Sequence, residues 1–383
     1  MEKIRDFLEQ RESEGLLRKL TPASVRKGGN IYFGDKEYVD LSSNDYLGLA
    51  SHPKLIAAGK IALDEYGSGS GASRLLSGDL SIHHELEAAI ANFKNKEASL
   101  VFNSGYQANV GMFNSICGKD DCVFSDKLNH ASIVDGLQLC RAKTFRFRHN
   151  DICGLEEILK RERSKFKKAI IVTETIFSMD GDIAPLEALV DLKERYECWM
   201  VVDEAHATGI YGNSGSGMVE EKGLSDRIDI IMGTFGKALG SFGAYVAASK
   251  DVVEYLLNTC RSFIYSTSLP PSIIACNLKS LELVREEPYR REELLRNAAY
   301  FRGALKDMGL KTTGSSQIIP VIVGENKMAQ NLAKELQLKG WWTLPIRPPT
   351  VPEGQARLRF SLNFDHGMDV LNRLIKDLSG VRI

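Results

Sequence analysis

The sequence predicts an α/β protein with a mostly parallel central sheet flanked by helices, followed by a smaller α+β C-terminal domain. Three observations predict it. Short apolar runs rich in valine and isoleucine alternate with amphipathic helical patterns, the runs show no polar alternation, and the pattern changes from about Leu256 onward. Apolar runs without alternation are strands buried on both faces, and strands separated by helices build a parallel sheet through right-handed crossovers.

The elements follow in order. Met1 to Glu12 alternates charged and apolar residues at helical spacing, so residues 1–45 read as an arm or helix packing with the small domain. Residues 46–260 read as the large α/β domain. Its strand candidates are Ser99 to Phe102, Asp121 to Phe124, Ala169 to Thr173, Trp199 to Val202 and Asp229 to Met232. Between them, Asn150 is placed to cap a helix whose Ile152, Leu155, Ile158 and Leu159 share one face, and Pro185 sits where a helix starts before Leu186, Leu189 and Val190. Tyr265-Ser-Thr-Ser-Leu-Pro-Pro271 breaks the pattern. A long helical stretch to about Met308 and strand candidates at Ile318 to Val323 and Arg357 to Leu362 then make 261–383 the α+β domain.

Composition narrows the function. At 383 residues the chain exceeds what one core usually supports, which agrees with two domains. The 49 basic and 50 acidic side chains nearly cancel, so no overall field favours nucleic acid or an anionic membrane, and a small substrate is expected. No apolar run approaches the roughly 18 residues of a membrane span, and the N-terminus lacks the apolar core of a signal peptide. A cytoplasmic protein is expected. Seven cysteines without a Cys-x-x-Cys pair read as buried small hydrophobes rather than a disulfide framework or zinc cluster.

The chemistry centres on Lys237, which closes Gly233-Thr-Phe-Gly-Lys237, with Asp203 and His206 upstream in Val201-Val-Asp-Glu-Ala-His206. A carboxylate at a strand end, an imidazole three residues on and a lysine in a glycine-flanked turn are the parts needed to hold pyridoxal 5′-phosphate (PLP). Ligands of open parallel sheets bind at the carboxyl ends of the strands, where Asp203 falls. A carboxylate there keeps a pyridine nitrogen protonated, and a partly desolvated lysine serves as imine partner and proton shuttle. The phosphate needs donors. Asn103-Ser-Gly-Tyr-Gln-Ala-Asn109 follows a strand and opens a helix, so the amides of Gly105 and Tyr106 are aimed at an anion, and Thr234 offers a hydroxyl.

Each residue alone has an ordinary alternative. An aspartate after a strand is often a helix cap, and His130 in Leu128-Asn-His-Ala-Ser132 is by itself a satisfied polar residue. Together and in this order they point to the cofactor. Asp203-Glu-Ala-His206 also spells the acidic box of ATP-dependent helicases, but that reading needs an upstream Gly-x-x-x-x-Gly-Lys-[Ser/Thr] loop, and the Gly-Lys here follows the box and is succeeded by Ala238. His83-His84-Glu85 lacks the following histidine of a zinc protease and reads as part of an amphipathic surface helix.

From about Leu41 to the C-terminus the chain resembles the α-oxoamine synthase group of fold-type-I PLP transferases. The resemblance is carried by Ser42-Ser-Asn-Asp-Tyr-Leu-Gly48, Gly69-Ser-Gly-Ala-Ser-Arg74, Phe177-Ser-Met-Asp-Gly181, Asp203-Glu-Ala-His206 and Thr234-Phe-Gly-Lys237. Within the group, Ile346-Arg-Pro-Pro-Thr-Val-Pro352 with Arg357-Leu-Arg359 is similar to members that join L-alanine to a pimeloyl thioester in biotin synthesis.

The resemblance implies roles residue by residue. Lys237 would carry the covalent link, Asp203 would face the pyridinium, His130 would stack on the ring, and His206 and Ser178 would lie near the phenolic oxygen. The phosphate falls to Gly105, Tyr106 and Thr234, with Thr267 reaching across from a second subunit, so a homodimer is implied. Arg359 would hold the amino-acid carboxylate with Asn44 nearby, while Arg18 and Thr350 match positions at the acyl substrate. Coenzyme A or a carrier protein would bring the acyl group. A sibling reaction using glycine or serine is the alternative, and a nucleotide-binding protein a distant one. The sequence departs from many members at Ala207, where they have glycine.

Overall fold

The computed structural model describes residues 2–380, which form two compact units. One consists of residues 2–51, 179–182 and 292–380, the other of residues 52–178 and 183–291. The change of pattern read near Leu256 falls inside the second, larger unit.

In the first unit a helix, α1 (Glu2–Ser13), precedes the antiparallel strands β1 (Val25–Lys27), β2 (Asn30–Phe33) and β3 (Lys36–Asp40). These three strands are not legible in the sequence, because most of their residues are exposed or half-buried and no apolar face repeats.

The second unit holds α2 (Pro53–Tyr66) and α3 (Ser81–Lys94), then a seven-stranded sheet. Its strands are β4 (Ala98–Phe102), β5 (Cys122–Asp126), β6 (Lys143–Phe147), β7 (Ala169–Glu174), β8 (Trp199–Asp203), β9 (Ile230–Thr234) and β10 (Ala244–Ala248). The order is β4-β10-β9-β8-β7-β5-β6. All neighbours run parallel except at β10, which is antiparallel to both β4 and β9. Every residue of β5, β7 and β10 is buried, as strands covered on both faces require.

Helices α4 (Gly105–Ile116), α5 (Ala131–Leu139), α6 (Ile152–Glu162) and α7 (Leu186–Arg195) supply crossovers. Helix α4 buries Ala108, Met112, Phe113 and Ile116 in one core with Leu100, Val172, Val201 and Met232. Each large side chain so buried contributes roughly 1.5–3 kcal/mol, and this packing fixes the N-terminus of α4 at the strand ends.

Three local expectations are corrected. Helix α6 is capped by Asp151, whose carboxylate accepts the Gly154 N–H at 2.9 Å, and not by Asn150, which has φ +54°. The helical stretch ending near Met308 is two helices, Pro271–Glu286 and Tyr289–Asp307. His83 lies on α3 but is buried, its Nε2 3.2 Å from the Leu269 carbonyl. Of the seven cysteines, five are buried, Cys276 is half-buried and Cys153 is exposed. No helix among the described residues is long and apolar enough to cross a membrane.

The first unit continues with β11 (Ile318–Gly324), the helix Asn326–Leu338, β12 (Trp341–Trp342), β13 (Pro345–Ile346), β14 (Ala356–Ser361) and the helix Met368–Ser379. Strand β12 joins β3, and β11-β14-β13 form an antiparallel sheet. Beside it His366 is buried, with Nδ1 accepting the Asn363 N–H and Nε2 facing the Gly29 carbonyl.

Burial drives His366 down from 6.5 to about 4. The unfolded chain therefore binds the extra proton first, and stability is complete above about pH 6.5 and falls as pH drops towards 4, by about 3 kcal/mol in total. Urea midpoints measured from pH 7 to 4 are expected to fall less steeply in His366→Gln than in the parental protein. Equal slopes would exclude His366 as the cause.

Candidate active site

In the second unit the carboxyl ends of β7, β8 and β9 lie side by side, with Glu174 opposite Asp203 and Asp203 opposite Met232 in register. Asp203 is 6% exposed. Its Oδ2 accepts from Asn109 Nδ2 at 3.0 Å and its Oδ1 from the Ala205 N–H at 2.9 Å. The carboxylate is thus held from both sides, and each oxygen keeps acceptor capacity.

Asn109 also donates to Ser132 Oγ at 3.0 Å. Ser132 presents its backbone N–H, at 3.2 Å, and its hydroxyl, at 2.8 Å, to His130 Nδ1. With Nδ1 accepting, the ring proton of neutral His130 sits on Nε2. Burial, which strips water from the charged ring, lowers the His130 pKa below 6.5. The nearby positive Lys237 acts in the same direction, whereas negative Asp203 opposes it.

Lys237 stands in the turn after β9, half-buried, with Nζ 2.9 Å from His206 Nε2. His206 is buried in the turn that follows β8, where the Ala207 N–H donates to the Glu204 carbonyl at 2.9 Å. Ala207 fits there without a left-handed backbone, since Asn95, Asn150 and Glu197 are the described non-glycine residues with positive φ.

Helix α4 begins at Gly105 and is capped by Ser104, whose hydroxyl accepts the Gln107 N–H at 3.2 Å. A Cβ at Gly105 would come within 2.8 Å of Thr234 Cγ2, so glycine permits this approach. Thr234 Oγ1 is buried and has no hydrogen-bond partner. The Tyr106 hydroxyl bonds Asp135. Thr267 is exposed, and its carbonyl accepts from Asn103 Nδ2 at 2.9 Å. Ser178, half-buried, ends the second unit's chain before residues 179–182.

In the first unit β14 presents Arg359, buried at 8% exposure rather than at the surface. The Ser361 N–H donates to the Leu41 carbonyl at 2.9 Å, which lays β14 along the segment carrying Asn44. Both terminal nitrogens of Arg359 reach Asn44 Oδ1 at 3.2 Å, with Ser361 Oγ at 2.5 Å and the Tyr46 hydroxyl at 3.2 Å as further acceptors. Arg18 and Thr350, far apart in sequence, meet at 3.3 Å. Arg18 lines a cleft of about 290 Å³ with Phe7, Leu8, Arg11, Leu16 and Leu17.

Sequence reasoning missed Asn109, Ser132 and Glu174. Asn109 was within reach, standing four residues after Gly105 and so on the same face of α4. Glu174 is buried beside Asp203, and burial, then the Asp203 charge, holds its carboxyl well above the usual carboxylate range. Nothing in the sequence around it marks that environment.

A buried aspartate that ends one parallel strand and a lysine in the turn after its neighbour, in a sheet of this order, define a fold-type-I enzyme of the PLP-using class. The sequence model of the family "Aminotransferase class I and II" matches residues 36–378. The 8-amino-7-oxononanoate synthase of Geobacter sulfurreducens is 48% identical over 98% of this chain and 96% of its own. Among solved structures, a serine palmitoyltransferase variant from S. paucimobilis with a bound PLP–myriocin aldimine superposes with TM-score 0.93 at 32% identity, covering 98% of this chain and 96% of that one. The 8-amino-7-oxononanoate synthase of Francisella tularensis superposes with TM-score 0.77 at 30% identity, covering 89% and 97%. The chain belongs to the class I and II aminotransferase family, among its 8-amino-7-oxononanoate synthases.

Proposed function

We propose that this protein condenses L-alanine with a pimeloyl thioester, carried on coenzyme A or a carrier protein, to give 8-amino-7-oxononanoate, carbon dioxide and the free thiol. The observation that carries the proposal is Asp203 at the end of β8 beside Lys237 in the turn after the neighbouring parallel strand β9, with Lys237 Nζ 2.9 Å from His206 Nε2. The choice of alanine rests on identity: 48% to a named synthase outweighs 32% to serine palmitoyltransferase, whose higher TM-score speaks only to fold.

The residues fit PLP. The partnerless hydroxyl of Thr234 and the N–H groups at the start of α4, at Gly105 and Tyr106, suit its phosphate. Asp203 suits a protonated ring nitrogen, His130 the ring face, and His206 and Ser178 the phenolic oxygen. Thr267 of the partner subunit completes the phosphate site, which makes the protein a homodimer. Bound there, PLP supplies an electron sink for negative charge at the alanine Cα.

The chain's own groups do the rest. Asp203 faces the ring nitrogen and favours its protonated form. Arg359, steadied by Asn44, grips the carboxylate of alanine. Lys237 Nζ takes the Cα proton and later returns one. His130, with its proton on Nε2, donates to the thioester carbonyl as Cα attacks it. The thiol leaves, the β-keto acid loses its carboxyl as carbon dioxide, and Arg18 and Thr350 hold the acyl chain.

Carbon dioxide release is to be assayed with alanine, glycine and serine against pimeloyl and acetyl thioesters. Turnover with alanine and pimeloyl thioester is expected. Preference for glycine or serine would overturn the substrate assignment. Arg359→Ala is expected to raise the KM for alanine by roughly tenfold to hundredfold, since hydrogen bonds to a charged group contribute about 1.5–3 kcal/mol. An unchanged alanine dependence would remove Arg359 from the site.

A further inference from the structure

Asp203-Glu-Ala-His206 contains a residue that the proposed reaction does not use. Glu204 is completely buried, and Lys94 at the end of α3 brings Nζ within 2.7 Å of Glu204 Oε2, both side chains 0% exposed. Such a pair is weak support for stability by itself, because desolvation cancels much of the attraction. Its other bonds point to placement.

Glu204 Oε1 accepts the Val219 N–H at 2.8 Å. Lys94 Nζ also donates to Thr208 Oγ1 at 3.1 Å and to the Ser216 carbonyl. Thr208 Oγ1 in turn donates to the Glu204 carbonyl at 3.0 Å and meets the Tyr245 hydroxyl at 2.9 Å. Tyr245 pairs with Gly233 in the sheet, where a methyl group would overlap its hydroxyl, and its ring packs on Phe235 with centroids 5.3 Å apart. Burial works against the Lys94 ammonium, and Glu204 and Tyr245 together more than offset it, so the amine stays charged. One buried polar assembly therefore touches two strand ends and the turns that follow them. At the first, Asp203 ends β8 and His206 lies in the turn; at the second, Thr234 ends β9 and Lys237 lies in the turn.

We propose that Lys94 and Glu204, acting through Thr208 and Tyr245, are positioning residues of the active site: their ion pair sets residues 203–208 against residues 233–237 and so brings His206 to Lys237. The inference rests on the proposed function, because the contact is assigned a part in holding PLP.

Two variants test it, Lys94→Met/Glu204→Gln, which removes both charges at nearly constant volume, and Tyr245→Phe, which removes one hydroxyl. Each is titrated with PLP and read for cofactor Kd and for the pH midpoint of the visible absorption of its bond to Lys237, beside the melting temperature of the cofactor-free chain. In both variants the midpoint is expected to move and the Kd to rise, with kcat falling by roughly tenfold to hundredfold, as a displacement of up to about 1 Å produces. The KM for alanine is expected to hold.

Folded variants with the parental midpoint and Kd overturn the inference and leave the pair a purely structural one. If the double variant does not fold, Tyr245→Phe decides by the same readings. A parental protein without the absorption overturns the proposed function and this inference together, whereas a parental absorption with unshifted variants overturns this inference alone.

Discussion

Replacing Lys237 by alanine is expected to lower kcat by about 10⁴-fold or more while leaving the fold intact. The residue does two jobs in the proposed reaction, covalent attachment and proton transfer at Cα, and the second alone contributes roughly 10²–10⁴-fold. Its side chain is half-buried in a turn, with Nζ against His206, so truncation removes little core packing. Circular dichroism of Lys237→Ala should match the parental spectrum. Added ethylamine should restore part of the rate, because a free amine reaches the vacated position. Activity within tenfold of the parental protein would show that another group moves the proton.

Asp203→Asn carries the next largest effect, a fall in kcat of about 10³-fold with the cofactor still attached. A preorganised charge aimed at a reacting system contributes about 4 kcal/mol, equivalent to that factor. The structure adds a second cost. Asp203 accepts one hydrogen bond on each oxygen, from Asn109 and from the Ala205 N–H, so an amide there turns its NH₂ towards a donor whichever way it is placed. Asp203→Glu keeps the charge at a shifted position and is expected to fall between the two. If Asp203→Asn turns over at the parental rate, the residue does not face the cofactor ring.

How much of this was legible in the sequence depends on whether a residue's role is local. The buried strands β5, β7, β8 and β9 announced themselves as unbroken apolar runs, and a strand followed by Asp203 or by the Gly233–Lys237 turn already states where a ligand sits. Strand β6 did not, because Lys143 and Arg146 interrupt it, and at the sheet edge, with β5 on one side only, it is less buried. Strand β10 is apolar throughout, yet nothing local says that it runs antiparallel between β4 and β9.

The same division holds in the site. Arg359 with Asn44 and Arg18 with Thr350 were paired by family resemblance, and the fold brings each pair to hydrogen-bond distance across more than 300 positions. Asn109, Lys94 and Glu204 reach partners that are distant in sequence, and a lysine at the end of an amphipathic helix reads as a solvated C-terminal charge until the fold buries it. Tertiary burial, which periodicity does not encode, separates the two cases.

In the proposed reaction Lys237 forms a covalent bond with PLP. That bond is tested most directly by reducing the PLP-loaded protein with borohydride, digesting it and locating the added mass by tandem mass spectrometry. The structure predicts one phosphopyridoxyl group, on the peptide containing Lys237, with loss of the visible absorption. An unmodified Lys237, or the group on another lysine, would show that Lys237 does not carry the cofactor.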